Sequence, residues 1–271
     1  MPLPLYLHIP FCDTLCWFCG CHATVVNAYS PLAGYLDLLA REIEMVAGVL
    51  GTRRRATHIH WGGGSPTLLK PDDLVRLGKV LRNTFDVAPG AEIAVEIDPR
   101  GFTPALADAL AQIGVTRASV GVQDFDAAVQ HAINRVQDYE TTAQCVRLLR
   151  ARGVSKLSVD LIYGLPYQTT DGHIRTIDDM LLLGPDRLAI FGYAHVPGFK
   201  KHQSLIPPAA LPGVAERFAQ AQAARARLID TGYVAIGLDH FASPTTPGRS
   251  RRATVVWRAI SRVTPPIPPL R

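Results

Sequence analysis

Short apolar segments alternate along this chain with segments of helical periodicity, and that alternation constrains the fold more than any other feature. Strand-like segments lie at residues 3–8, 57–61, 92–97, 117–122, 156–163 and 187–193, with a last candidate at 233–236. Between them, residues 32–50, 71–83, 104–113, 125–133, 139–152, 171–183 and 215–231 repeat their apolar positions at helical spacing. Strands of about five to seven residues separated by helices of about ten to twenty predict βα units and a parallel sheet. Six to seven such units predict an α/β fold of the partial, open (β/α)6 barrel type. Its strands are expected to be apolar on both faces, as in a sheet covered by helices. In such an architecture the chemistry gathers at the C-terminal ends of the strands.

The unusual residues fall at those ends. After the first strand come four cysteines within ten residues, Cys12, Cys16, Cys19 and Cys21. After the second stands Gly62-Gly63-Gly64-Ser65-Pro66. Glu96 and Asp98 mark the third, Gln123 the fourth, Asp160 and Gly164 the fifth, and Ala194-His195 the sixth. Cys12, Cys16 and Cys19 form a C-x3-C-x2-C pattern, whose three thiolates suit three irons of a [4Fe–4S] cluster. The alternative is structural zinc, with Cys21 or His22 as the fourth ligand. The N-terminus has no basic region followed by an apolar one, so crowded thiols favour a metal site over disulfides and a reducing, cytoplasmic setting. Cys145 stands alone in a helical stretch and is expected to be a buried structural thiol.

Charge narrows the range of partners. Of the 28 basic residues, six are arginines at positions 243–271, where there is no acid, so positions 1–242 carry 22 bases against 23 acids. A nearly neutral body is not a nucleic-acid-binding domain, which carries basic clusters on a folded face. Arg53-Arg54-Arg55 is expected to be a solvated loop, and no apolar run reaches the roughly 18 residues of a membrane span. Residues 1–242 are expected to form the catalytic barrel. Residues 243–271, rich in Arg and Pro, are expected to be a disordered tail.

The run His8-Ile-Pro-Phe-Cys-Asp-Thr-Leu-Cys-Trp-Phe-Cys-Gly-Cys resembles the cluster loop of the radical S-adenosylmethionine (SAM) superfamily. More narrowly it resembles the oxygen-independent coproporphyrinogen III oxidase (dehydrogenase) family. Further matches are His60-Trp-Gly-Gly-Gly-Ser-Pro-Thr, Glu96-Ile-Asp-Pro-Arg, Gly121-Val-Gln-Asp-Phe, Asn134-Arg, Asp160-Leu-Ile-Tyr-Gly-Leu-Pro, Tyr193-Ala-His and Gly237-Leu-Asp-His-Phe-Ala. The resemblance runs from about Leu5 to Ala242. It implies a radical SAM barrel with Cys12, Cys16 and Cys19 on the cluster and Tyr6, Gly63 and Glu96 on the SAM bound there. It implies a second SAM touched by Phe18, Gly64, Ser65, Gln123, Arg135, Asp160 and Ala194, and a catalytic role for Cys21. Gly63, lacking Cβ, is expected to let the backbone approach its ligand. A carboxylate at Glu96 needs a partner, a ligand hydroxyl or a neighbour such as Arg100. His58, His131 and His202 are given no role.

The reaction so implied belongs to haem biosynthesis: two propionates of the tetrapyrrole coproporphyrinogen III lose hydrogen and CO2, giving the vinyl groups of protoporphyrinogen IX. An unidentified electron donor and a monomeric state go with it. Members of the family continue beyond this chain at both ends, so a truncated or frameshifted product lacking a substrate cover is a further expectation. Two other readings stay open: a haem-binding paralogue of the haem-chaperone type, against which Cys21 argues, and an inactive fragment.

Overall fold

A computed structural model describes residues 2–244. Ten strands and seven α-helices follow in chain order. The first half holds β1 (Leu3–Ile9), β2 (Phe11–Cys12), β3 (Thr24–Val25), α1 (Ser30–Leu50), β4 (Arg55–Gly63), α2 (Pro71–Thr84), β5 (Asp86–Ile97), α3 (Pro104–Gln112) and β6 (Arg117–Gln123). The second half holds α4 (Ala127–Ala132), α5 (Tyr139–Ala151), β7 (Lys156–Tyr163), α6 (Thr170–Leu182), β8 (Arg187–Gly192), α7 (Val214–Asp230), β9 (Val234–Ala235) and β10 (His240–Ala242). The tail expected at 243–271 lies, from position 245 onward, outside the described residues.

One sheet runs in the order β1-β4-β5-β6-β7-β8-β10-β9. In it β1, β4, β5, β6, β7 and β8 pair in parallel in that order, the expected (β/α)6 arrangement, while β2 and β3 pair with each other apart from it. The sheet is open, with β1 and β9 at its edges. The last candidate strand survives only as the two residues of β9. It pairs antiparallel with β10, which pairs antiparallel with β8, so the sheet is mixed at that edge.

Local chemistry sets the helix starts. Thr103, Asp126, Asp138 and Thr169 each accept a backbone N–H with the side chain just before α3, α4, α5 and α6. These caps satisfy donors that the first helical turn leaves orphaned. Asp72 and Asp73 sit in the first turn of α2 behind Pro71, where the helix dipole favours negative charge. Gly51 ends α1 in the left-handed region, at φ 69°.

The strands are not apolar on both faces. Leu7, Ile9, Trp61, Val95, Ile97, Val120, Val122, Val159 and Leu161 are buried against the helices and form the main core with Leu36, Leu74, Leu110 and Ile177. The intervening positions, Tyr6, His8, His60, Glu96, Ser119, Gln123 and Asp160, face the other side and keep some exposure. The sheet alternates because an open barrel leaves its concave side to solvent and ligand. Arg53 is exposed in a loop as expected, whereas Arg55 already begins β4; Cys145 is buried in α5. Among the described residues, no helix is long and apolar enough to cross a membrane.

Leu110, fully buried, measures what the helix side contributes. Leu110→Ala is expected to cost about 2–5 kcal/mol. Leu182→Ala, on a helix face where Leu182 is 76% exposed, is expected to stay within about 0.5 kcal/mol. Urea midpoints at constant slope check both.

Candidate active site

The cysteine loop is tied to the sheet by backbone. Beyond the register that pairs Ile9 with Gly63, the Gly64 N–H donates to the Ile9 carbonyl at 2.8 Å and the Ser65 N–H to the Phe11 carbonyl at 2.8 Å. The glycine run makes this approach possible. A Cβ at Gly62 would meet Glu96 Oε1 at 2.7 Å, one at Gly63 would meet the Ile9 carbonyl at 2.8 Å, and one at Gly64 would meet the Phe11 carbonyl at 2.5 Å and Cys12 Sγ at 2.9 Å. At Gly63 the missing Cβ is thus already needed for packing, since the His8 ring and the Ile9 carbonyl fill its place.

The far side of the loop is clamped by segments distant in sequence. Trp17 N–H donates to the Ile133 carbonyl at 2.9 Å, and Asn134 Nδ2 to the Leu15 carbonyl at 2.8 Å. Asn134 holds φ 52°, a conformation asparagine tolerates better than most residues. Gln203, buried after β8, donates through Nε2 to the Phe18 and Ala194 carbonyls. Lys200 Nζ reaches the Cys21 carbonyl, and His202 Nε2 lies 2.8 Å from that of Cys19. His202 thus has a positioning part that its sequence context did not show. Phe18 packs on a small second core of Val129, Ile133, Leu165, Tyr193 and Ile206.

Cys16 is buried, Cys12 and Cys19 are half-buried, and Cys21 is exposed. Burial, then the neighbouring Cys19 and Cys16, push the Cys12 thiol up to about 12. A hydrogen bond from Cys21 draws Cys19 down to about 6, and the same pairing pushes Cys21 up. Held by iron, all three would be thiolates, the soft ligands that such a cation favours. Among the described residues, no three or more His, Cys, Asp or Glu side chains gather closely enough for a single ion. Three cysteines in one loop are the donor set that a cluster spreading three thiolates over three irons would use.

Glu96 faces the concave side with both oxygens engaged. His60 Nε2 lies 2.9 Å from Oε1, and the Gly63 N–H donates to Oε2 at 3.1 Å. The partner weighed from sequence, Arg100, instead forks onto Asp98, with Nη2 to Oδ2 at 2.6 Å. Tyr6 stacks on His60 at 5.6 Å between ring centroids, and its hydroxyl lies 3.1 Å from His8 Nδ1. Tyr6, His60 and Glu96 therefore form one connected group beside the cysteine loop. The role of His60 was missed, although its place in the His-Trp-Gly-Gly-Gly run marked the strand end.

Gln123, Arg135, Asp160 and Ala194 lie further round the mouth. Gln123 ends β6 at φ 73°, in a region that costs a non-glycine residue energy. Arg135 is buried: Nη1 donates to Asp98 Oδ2 at 3.1 Å and to Cys16 Sγ at 3.6 Å, and Nη2 donates to the Gly121 carbonyl at 2.8 Å. Its Nε is buried without a partner among the described residues. Asp160 accepts from Ser119 Oγ at 3.0 Å, and burial raises it from 3.8 to about 6. Ser65 is buried and joined to the cysteine loop by its N–H to the Phe11 carbonyl, and Ala194 is exposed and linked to Phe18 through the Gln203 side chain.

The radical SAM superfamily model matches residues 6–180. The oxygen-independent coproporphyrinogen III oxidase of Bradyrhizobium diazoefficiens is 50% identical over 240 residues, which is 89% of this chain and 53% of that protein. That of Cereibacter sphaeroides is 43% identical over 244 residues, 90% of this chain and 54% of its own length. The solved coproporphyrinogen III oxidase of Escherichia coli, a radical SAM enzyme, superposes with a TM-score of 0.88 at 41% identity, covering 91% of this chain and 56% of that one. The chain spans about half the length of these relatives.

Two outcomes test the site geometry. Gly64→Ala is expected to cost about 1–3 kcal/mol, since its Cβ meets fixed backbone, and to lower iron uptake on anaerobic reconstitution. Between pH 3.8 and about 6 the folded chain keeps a proton on Asp160 that the unfolded chain has lost, so stability falls as pH rises through that window. Asp160→Asn removes that fall, and urea titrations at several pH values are expected to show the variant gaining on the parent as pH rises.

Proposed function

The chain belongs to the radical SAM superfamily, and from that premise we propose that it is the catalytic barrel of an oxygen-independent coproporphyrinogen III oxidase of haem biosynthesis. Membership implies a [4Fe–4S] cluster and SAM. The observation that carries the narrower reading is the cysteine loop, Cys12, Cys16, Cys19 and the additional Cys21, docked against Tyr6, Glu96 and the glycine run at the barrel mouth. Identity of 50% to a coproporphyrinogen III oxidase across the whole barrel supports it. When bound, the cluster and SAM supply one-electron reduction and hydrogen abstraction, the difficult part of the chemistry.

The protein's own residues hold and orient. Cys12, Cys16 and Cys19 would ligate the cluster. Glu96, fixed by His60 and Gly63, would receive the polar part of the first SAM, with Tyr6 beside it. Phe18, Gly64, Ser65, Gln123, Arg135, Asp160 and Ala194 ring the mouth, where a second SAM would lie. The strained Gln123, the protonatable Asp160 and the orphaned Arg135 Nε are groups that a polar ligand would satisfy. Cys21 is exposed at the loop's end and would face the tetrapyrrole, with no part in iron binding. An external donor would supply the electrons, in a reducing, cytoplasmic setting. The barrel at 2–242 would act as one unit.

The reconstituted protein is expected to bind about four irons, to form 5′-deoxyadenosine from SAM under reductant, and to release CO2 from coproporphyrinogen III. Serine at Cys12, Cys16 or Cys19 abolishes iron–sulfur absorbance. Cys21→Ser keeps it and lowers decarboxylation at least about tenfold, a change of about 1.4 kcal/mol in barrier. Equal decarboxylation by Cys21→Ser, or a cluster that forms while coproporphyrinogen III goes untouched, contradicts the assignment.

A further inference from the structure

Two arginines from different parts of the chain converge on one thiol. Arg100, after β5, and Arg135, after α4, each donate to Cys16 Sγ from a guanidinium nitrogen 3.6 Å away. Asp98 binds both, at 2.6 Å to Arg100 and 3.1 Å to Arg135, and with Arg135 buried and the other two half-buried, water screens them only in part. Two guanidiniums against one carboxylate leave a single positive charge beside the sulfur. Among the described residues, guanidinium groups reach Cys16 alone of the three cysteines of the C-x3-C-x2-C pattern. Cys19 receives a backbone N–H from Cys21 at 3.3 Å.

We propose that Arg100 is a positioning residue for Cys16 that, together with Arg135 and Asp98, raises the reduction potential of the cluster. The inference rests on Cys12, Cys16 and Cys19 holding that cluster. Hydrogen bonds and positive charge at a ligand sulfur stabilise the more negative, reduced form, and partners behind a ligand also fix its orientation. A half-dry site strengthens the effect, because the low local dielectric screens it poorly. Asp98 holds both forks in place while cancelling one of their charges. The two substitutions must therefore act in opposite directions.

The test is an EPR-monitored redox titration of the anaerobically reconstituted full chain, with iron content measured alongside. At the parent midpoint, Arg100→Gln is expected to lower the ratio of reduced to oxidised cluster about tenfold, a downward shift of about 59 mV for a one-electron couple. Asp98→Asn is expected to raise that ratio, and Arg100→Lys, which keeps the charge without the fork, to fall between Arg100→Gln and the parent. If Arg100→Gln takes up no iron, Asp98→Asn and Arg100→Lys still have assigned directions. A purely structural role moves Arg100→Gln and Asp98→Asn the same way or only lowers iron content. Either result, or unmoved potentials in loaded variants, overturns the inference alone. A parent chain that takes up no iron overturns the cluster assignment and this inference with it.

Discussion

The extension of parallel pairing past the end of the sheet, from Gly64 to Ile9 and from Ser65 to Phe11, is the constraint on which the site depends. Without it, a loop of four cysteines and two exposed ends would have many conformations to lose on folding. With it, Cys12 continues from β1 as an element of β2, paired to Val25, and its sulfur is seated against Gly64. Three adjacent positions must then lack side chains, because the Glu96 carboxylate, the β1 backbone and the cysteine loop occupy the places where three Cβ atoms would stand. The glycine run is thus a packing requirement first, and the site it serves follows from that packing.

The same logic divides the labour of the sheet. One face supplies stability through the apolar core beneath the helices, and the other holds Tyr6, His60, Glu96 and Asp160 against each other and against solvent. A parallel sheet covered on both faces could not carry this set, since each buried charge would cost several kcal/mol without a partner. The partners are present here. Glu96 has His60 and Gly63, Asp98 has two arginines, and Asp160 has Ser119 together with a raised affinity for its proton.

Much of this was legible in the residues. The order of strands and helices followed from apolar periodicity, and the position of the cysteines followed from spacing, because both are local signals. The polar inner face was not legible. Its small members, Gly62, Ser119, Gly121 and Ala189, do not break an apolar-looking strand, so the alternation that marks an exposed face is diluted. Pairings across the fold were also hidden. Glu96 meets His60 from 36 positions away, Arg135 meets Cys16 across 119, and His202 meets Cys19 across 183. No local pattern encodes such meetings, and a nearer residue such as Arg100 is the natural but wrong partner for Glu96. The shortest strands, such as β9 and β10, failed for a different reason: two or three residues are too few to show a period.

The wall behind the mouth explains how loops from several βα units can keep one arrangement. Asp124, almost wholly buried just after the strained Gln123, accepts from Gln168 Nε2 at 2.6 Å, from Thr176 Oγ1 at 3.1 Å and from the Asp126 N–H at 2.7 Å. Gln168 and Gln220 both accept from the Gly164 N–H, and Gln130 and Gln137 join Asp124 to the Gly121 carbonyl. Apolar side chains would fill this volume with less desolvation, but they would not distinguish one loop position from another. Each amide here has a fixed set of donors and acceptors, so displacing one loop leaves several buried groups unpaired at about 1–3 kcal/mol each. The network therefore makes the positions of Gln123 and Gly164 depend on one another. It also holds the Gly121 carbonyl that Arg135 needs, so the rigidity behind the mouth reaches Cys16 itself.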